Sequence, residues 1–200
     1  MVGRKKKKVY KNIVLKKVKS FEDLPSNVAI RIERGAGGRR TFRYVNDAIC
    51  TAIEKGEDKP WGYVTIAKPT ELEGECDGAY IAKVIESDNE WGPLLLRIAI
   101  EWASKNNDGL IADRFRVTEF EYHLWNHLLG NLGGDLITKP VALCFNKSSK
   151  TWSERLGIDE DKIATSFIFF SKTNMLQQLL KGKRICYMKA IIVKNSTLVK

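Results

Sequence analysis

Several kinds of residue are scarce in this 200-residue chain, and each scarcity narrows what the protein can do. Its four cysteines, Cys50, Cys76, Cys144 and Cys186, lie far apart without C-x-x-C spacing. Neither a thiolate zinc site nor a dithiol redox pair is therefore expected, and free thiols are the default. The only two histidines, His123 and His127, stand four apart, but Leu124 follows His123 and breaks the H-E-x-x-H zinc pattern. They read as surface or packing residues, and no metal is expected. No apolar run approaches the ~20 residues that cross a bilayer, and no apolar stretch of the secretory type follows the basic N-terminus. The reading is a soluble cytoplasmic chain with no membrane partner.

Acidic residues are missing from the start of the chain. Met1 to Lys19 holds nine Lys or Arg residues, including the run Arg4-Lys5-Lys6-Lys7-Lys8, and no acid. The formal net charge is +10. Such an arm, taken as residues 1–20, suits nucleic acid or an acidic protein surface through counterion release, or it is a solvated tail. The remaining residues, 21–200, are expected to form a single domain, since 44% hydrophobic content over this length suits one sizeable core.

The chain then alternates strand and helix signals. Val28 to Arg34 alternates at period two and stops at Gly35-Ala36-Gly37-Gly38, which reads as a strand and a turn. That glycine cluster lacks the Gly-Lys-Ser/Thr of a P-loop; Arg39 and Arg40 leave turn chemistry or a phosphate contact open. Phe42, Val45, Ile49 and Ile53 fall at helical spacing before Gly56, so a short amphipathic helix is expected there. Trp61 to Ala67 and Ala79 to Ile85 read as neighbouring strands, the second leading through Ser87-Asp88-Asn89-Glu90-Trp91-Gly92-Pro93-Leu94 into a helix with Leu95, Ile98, Ala99 and Trp102 on one stripe. Leu110 to Asp113 is a short strand. Thr118 and Glu121 form a capping box for a helix through Leu129, which Gly130 to Gly134 ends. A strand is expected at Ser166 to Phe170, a helix near Thr173 to Leu180, and a terminal strand over Arg184 to Val193, with further strand and helix signals at Val141 to Phe145 and Trp152 to Leu156.

The strand-to-helix turn is where α/β proteins hold anions, because unpaired N–H groups and the helix dipole face whatever lies above it. Around it, Trp91-Gly92-Pro93-Leu94-Leu95, Gly109-Leu110-Ile111-Ala112-Asp113-Arg114, Val117-Thr118 and Trp125 resemble the GNAT N-acetyltransferase superfamily, in particular its divergent bacteriophage-encoded members. The resemblance covers roughly residues 60 to 130. It implies an α/β (α+β) fold with a mixed, mainly antiparallel sheet, splayed between two strands and flanked by helices, to which the basic arm and a C-terminal extension are added. It further implies acetyl-CoA in the gap, with Ile85, Ser87, Glu90, Trp91, Gly92, Pro93 and Leu94 as the cofactor-binding stretch.

The chain departs from the superfamily's Arg/Gln-x-x-Gly-x-Gly/Ala turn, with Ser87 at the first position and Glu90 in place of the first glycine. Trp125 stands where the family's acid tyrosine is found, and Tyr122, one turn earlier, is the substitute candidate or a packing residue. Glu86, at the end of the strand, is the candidate base. Asp113-Arg114 lies at a strand end, where open α/β sheets face their ligand, and an internal salt bridge is its alternative use. The implied activity is acetyl transfer to an amine, on a protein acceptor in the host cytoplasm. The alternative is a catalytically inactive virion or host-interaction protein of the same fold, its basic arm engaging nucleic acid.

Overall fold

A computed structural model describes residues 18–46, 62–70, 78–87, 90–130, 135–140 and 167–188. Among them lie eight strands, β1 (Val28–Arg34), β2 (Arg40–Asn46), β3 (Gly62–Ala67), β4 (Tyr80–Ser87), β5 (Leu110–Ala112), β6 (Leu136–Pro140), β7 (Phe167–Ser171) and β8 (Ile185–Met188). Three α-helices accompany them, α1 (Gly92–Asn106), α2 (Glu119–Gly130) and α3 (Met175–Lys181). The strands form one sheet in the order β6-β7-β5-β4-β3-β2-β1-β8. Only β4–β5 and β1–β8 are parallel, and every other neighbouring pair is antiparallel. The fold class is therefore the expected one, a mixed and mainly antiparallel sheet with helices packed on it. No helix among the described residues is long and apolar enough to cross a membrane.

Two parallel neighbours cannot be joined by a tight turn, and α1 supplies the crossover between β4 and β5. Pro93 fits the first helical turn, where no N–H is needed, and Asn107 adopts extended backbone to stop the helix. Leu95, Leu96, Ile98 and Ile100 are completely buried, each burial contributing ~1.5–3 kcal/mol. Burial extends beyond the expected stripe, because the sheet lies on one side of α1 and α2 and α3 both touch it. Edge-on ring contacts tie Trp102 to Phe42 at 5.9 Å and to Tyr80 at 5.5 Å, fixing the helix over β2 and β4. Trp125 from α2 packs on Phe169 of β7 at 5.0 Å in the same core.

The helix expected from Phe42 onward is, over its described residues, strand β2; residues 47–61 lie outside the described part. Phe42 and Tyr44 go to the core while Thr41 and Arg43 face away, and Arg40 to Asn46 pairs with β1 through the glycine turn. The i, i+3 spacing of Phe42 and Val45 misled because Val45 is buried on the opposite face from Phe42. Strand β6 had no counterpart in the sequence reading. The strand and helix signals at Val141 to Phe145 and Trp152 to Leu156 lie outside the described residues, as do most of the basic arm and the last part of the terminal strand.

The described C-terminal elements complete the sheet. Strand β7 lies between β5 and β6, and β8 runs along β1. Arg184 fastens that edge by donating to Val28 O at 3.0 Å and to Leu24 O at 2.9 Å, while its own carbonyl accepts from Ile30 N. Glu101 of α1, fully buried, accepts from Thr173 Oγ1 at 2.7 Å and from Leu176 N at 3.2 Å. A carboxylate on one helix thus caps the N-terminus of another, which satisfies donors that α3 leaves open.

Candidate functional site

The candidate site lies where β4 and β5 part. Three register pairs join them, Tyr80 with Leu110, Ile81 with Ile111 and Ala82 with Ala112. On its other edge β4 continues to pair with β3 as far as Ser87 opposite Gly62. The antiparallel register passes from Ala82 opposite Ile66 to Val84 opposite Thr65, leaving Lys83 as an extra residue. Such a bulge bends and twists its strand, and here it falls just where β4 leaves β5.

Side chains close the parting. Lys83 Nζ lies 3.4 Å from Asp113 Oδ2, so Asp113, one residue beyond β5, reaches back to the bulge. Its other oxygen accepts from Phe115 N at 3.1 Å, which shapes the turn toward α2. Asp113 thus has an internal ion pair, with Lys83. Further along, Ile85 N donates to Glu121 Oε1 at 3.2 Å across the gap. Glu121 also completes the expected capping box: Thr118 N donates to its Oε2 at 2.7 Å, and Glu121 N donates to Thr118 Oγ1 at 3.2 Å. One carboxylate therefore caps α2 and occupies a backbone donor of β4 beyond its last described pair with β5.

Burial governs the electrostatics of these groups. It pushes Glu121 above the usual carboxylate range, with the nearby Asp113 adding, while hydrogen bonds from Thr118 and Ile85 oppose. Burial also pushes Lys83 below the usual lysine range, opposed by Asp113 and reinforced by Arg116 and Arg39.

The residues expected to hold a cofactor divide into two kinds. Trp91, Pro93 and Leu94 turn their side chains into the protein: Trp91 packs edge-on against Tyr44 at 5.8 Å, and Tyr44 donates its hydroxyl to Trp91 O at 2.9 Å. Ile85 likewise contributes its N–H to the gap and its side chain to the core. Gly92 lies so close to Ser87 that a Cβ would come within 2.2 Å of Ser87 Oγ. Glu90 turns outward, its side chain 45% exposed and 3.9 Å from Lys19 Nζ, while its carbonyl accepts from Lys19 N. That orientation keeps its charge from the turn, although Ser87 fills part of the space above Gly92.

Glu86 is exposed on β4 opposite Tyr63. Burial raises the Tyr63 phenol above its usual value, and a hydrogen bond to Glu86 and its charge add to the effect, with Arg43 opposing. Arg43 sits 5.7 Å over the Tyr63 ring and pairs with Glu33 at 3.2 Å, so Glu86 ends a polar row across β1 to β4. Tyr122 is half-buried against the core, edge-on to His123 at 5.6 Å. Trp125 is core. Among the described residues no group of three or more His, Cys, Asp and Glu side chains is placed to hold a metal. Arg4, Lys5, Lys6, Lys7 and Lys8 lie outside the described residues.

Sequence reasoning missed Lys83 and the second role of Glu121. The capping box was visible, but its link to Ile85 spans 36 residues and leaves no local signal. Comparison with protein-family models, curated proteins and solved structures finds no match for this chain.

Proposed function

We propose that the chain is a GNAT-like N-acetyltransferase that carries acetyl from acetyl-CoA to an amine, with the gap between β4 and β5 as its acyl site. The observation that carries this reading is the edge of β4 beyond Ala82, which pairs with no strand among the described residues and where Ile85 N–H meets the Glu121 side chain. An extended ligand with amide and thioester carbonyls can take that donor, and backbone hydrogen bonds along a strand edge are a general mode of binding. The turn into α1 adds helix N-terminal donors for a diphosphate. In this reading Glu86 takes the proton from the attacking amine, Tyr122 returns one to the departing thiolate, and the acceptor is a protein amine in a phage-infected host cytoplasm.

A second reading, a non-catalytic protein of the same fold serving as a virion component or host-interaction module, has its own support. Glu121 already occupies Ile85 N–H, Ser87 crowds Gly92, and Trp125 is buried. Thermal unfolding with acetyl-CoA separates the two. Ligand at a hundredfold excess over its dissociation constant adds about 2.7 kcal/mol to stability. The enzyme reading expects a raised midpoint that Gly92→Glu abolishes, together with acetyl transfer to amines; no shift at millimolar acetyl-CoA rejects it. Under either reading, binding of nucleic acid by the basic arm requires an affinity that falls steeply with salt and is lost when residues 1 to 19 are removed.

A further inference from the structure

Lys83 is the residue that the β3–β4 register leaves over, and it follows Ala82, the last residue of β4 paired with β5. Its amine reaches across the parting to Asp113, Nζ to Oδ2 at 3.4 Å. The two partners differ in access, with the Lys83 side chain 21% exposed and that of Asp113 only 7%. Ile85, whose N–H is directed into the gap, is two residues further along β4, a rise of about 6.6 Å that a four-carbon lysine stem can span. A partly accessible amine thus lies beside a buried carboxylate where the gap begins.

We infer that Lys83 is an acyl-acceptor lysine within the chain itself: a thioester held along the open edge of β4 transfers its acyl group to Lys83 Nζ. The inference rests on the acetyl-CoA reading given above. Three charged groups bear on the amine: Asp113 after β5, Arg116 in the turn before α2, and Arg39 before β2. The two arginines and burial favour the neutral amine, which is the nucleophile, and Asp113 favours the ammonium. The neutral amine attacks the thioester carbonyl, forming the N–C bond as the C–S bond breaks. The nitrogen gives up one proton to the Asp113 carboxylate and from there to water, while the departing thiolate takes a proton from Tyr122, which water restores. No electrons are transferred, and the product is an acyl-lysine that no longer carries a charge for Asp113.

The test is a site-resolved acetylation time course on the full chain by peptide mass spectrometry. It is run with acetyl-CoA and, separately, with S-acetyl-N-acetylcysteamine, a small thioester without the nucleotide, alongside the acetyl-CoA thermal shift. Lys83 is expected to acquire acetyl at least tenfold faster than the exposed Lys68 and Lys181. Asp113→Asn is expected to slow Lys83 by about tenfold without changing Lys68, and Asp113→Glu to restore part of the rate. If Asp113→Asn does not fold, the wild-type ratio of Lys83 to Lys68 decides alone. A thermal shift with Lys83 no faster than Lys68 overturns this inference and leaves acetyl-CoA binding standing. Selective labelling by the small thioester without an acetyl-CoA shift supports Lys83 and rejects the coenzyme instead. Absence of both overturns both.

Discussion

On one side of β4 the backbone pairs with β3 from Ile81 to Ser87, interrupted only by the bulge; on the other it pairs with β5 from Tyr80 to Ala82, after which the Lys83 side chain meets Asp113 and Ile85 N–H meets Glu121. The first edge is held by amide hydrogen bonds and close backbone approach. The second is held by two carboxylates, one paired with a lysine and one with a backbone N–H. A backbone ladder does not titrate and does not exchange partners without unfolding, whereas a carboxylate can protonate or rotate away. The same strand is therefore fixed on one edge and exchangeable on the other, which is the property the proposed acyl site would require.

The comparison is broken most forcefully from the closed edge. Gly62 has φ of +112°, and a Cβ there would lie 2.0 Å from Glu86 O. Gly62→Val combines backbone strain with a clash against the neighbouring strand and should cost more than about 3 kcal/mol in urea unfolding. A loss below about 1 kcal/mol would mean that β3 and β4 are not held as closely as their register indicates. On the open edge, Glu121→Ala strands two backbone donors, Ile85 N–H and Thr118 N–H, and should cost about 2–3 kcal/mol. Glu121→Gln keeps an acceptor in place and should cost about 1 kcal/mol. Equal costs for the two variants would show that the carboxylate's hydrogen bonds do not hold the edge.

The open edge should also respond to pH, and the sign follows from the raised Glu121 value. A carboxyl whose folded pKa lies above its unfolded value binds more protons in the folded state, so its contribution to stability is greatest at low pH. That contribution falls as pH rises from the ordinary value near 4.5 through the folded one. Urea unfolding across this range should show wild type losing stability relative to Glu121→Gln as pH increases. A flat difference would mean that hydrogen bonding from Thr118 and Ile85 balances burial, and one of opposite slope that it outweighs burial.

These two edges were unequally legible in the sequence. Strands β1, β3, β4 and β7 declared themselves through alternating or continuous apolar residues, α1 through its stripe and Pro93, and α2 through Thr118 and Glu121. Each of those signals is local. What escaped depends on partners distant in sequence: β2, whose helical spacing yields to pairing with β1; β6, a mostly exposed strand defined by β7; and the Lys83 bulge, which exists only relative to β3. The candidate site was half visible. The turn at Gly92 could be found from residue types, but Trp91 and Leu94 proved to be core, and the Glu121 contact with Ile85 required the fold.

Smaller effects sharpen the contrast. Thr41 Oγ1 and Thr65 Oγ1 share a hydrogen bond at 3.0 Å across β2 and β3, on the same fixed side of the sheet. Thr65→Val keeps the shape and removes that bond, so a cost of about 0.5 kcal/mol is expected. A cost above about 2 kcal/mol would make this side chain pair, rather than the backbone ladder, a principal clasp of that region.

The smallest change belongs at Ser87, where β4 ends and the turn into α1 begins. Ser87 Oγ is buried with no hydrogen-bond partner among the described residues, and it lies against Gly92. A buried hydroxyl without a partner contributes little to stability, because desolvating it is not offset by a bond. Ser87→Ala should therefore leave unfolding within about 0.5 kcal/mol of wild type. If the turn holds a diphosphate, relieving the crowding over Gly92 should strengthen the acetyl-CoA thermal shift. Loss of the shift in Ser87→Ala would instead make the hydroxyl a ligand contact, and its lack of a protein partner would then have a functional reason.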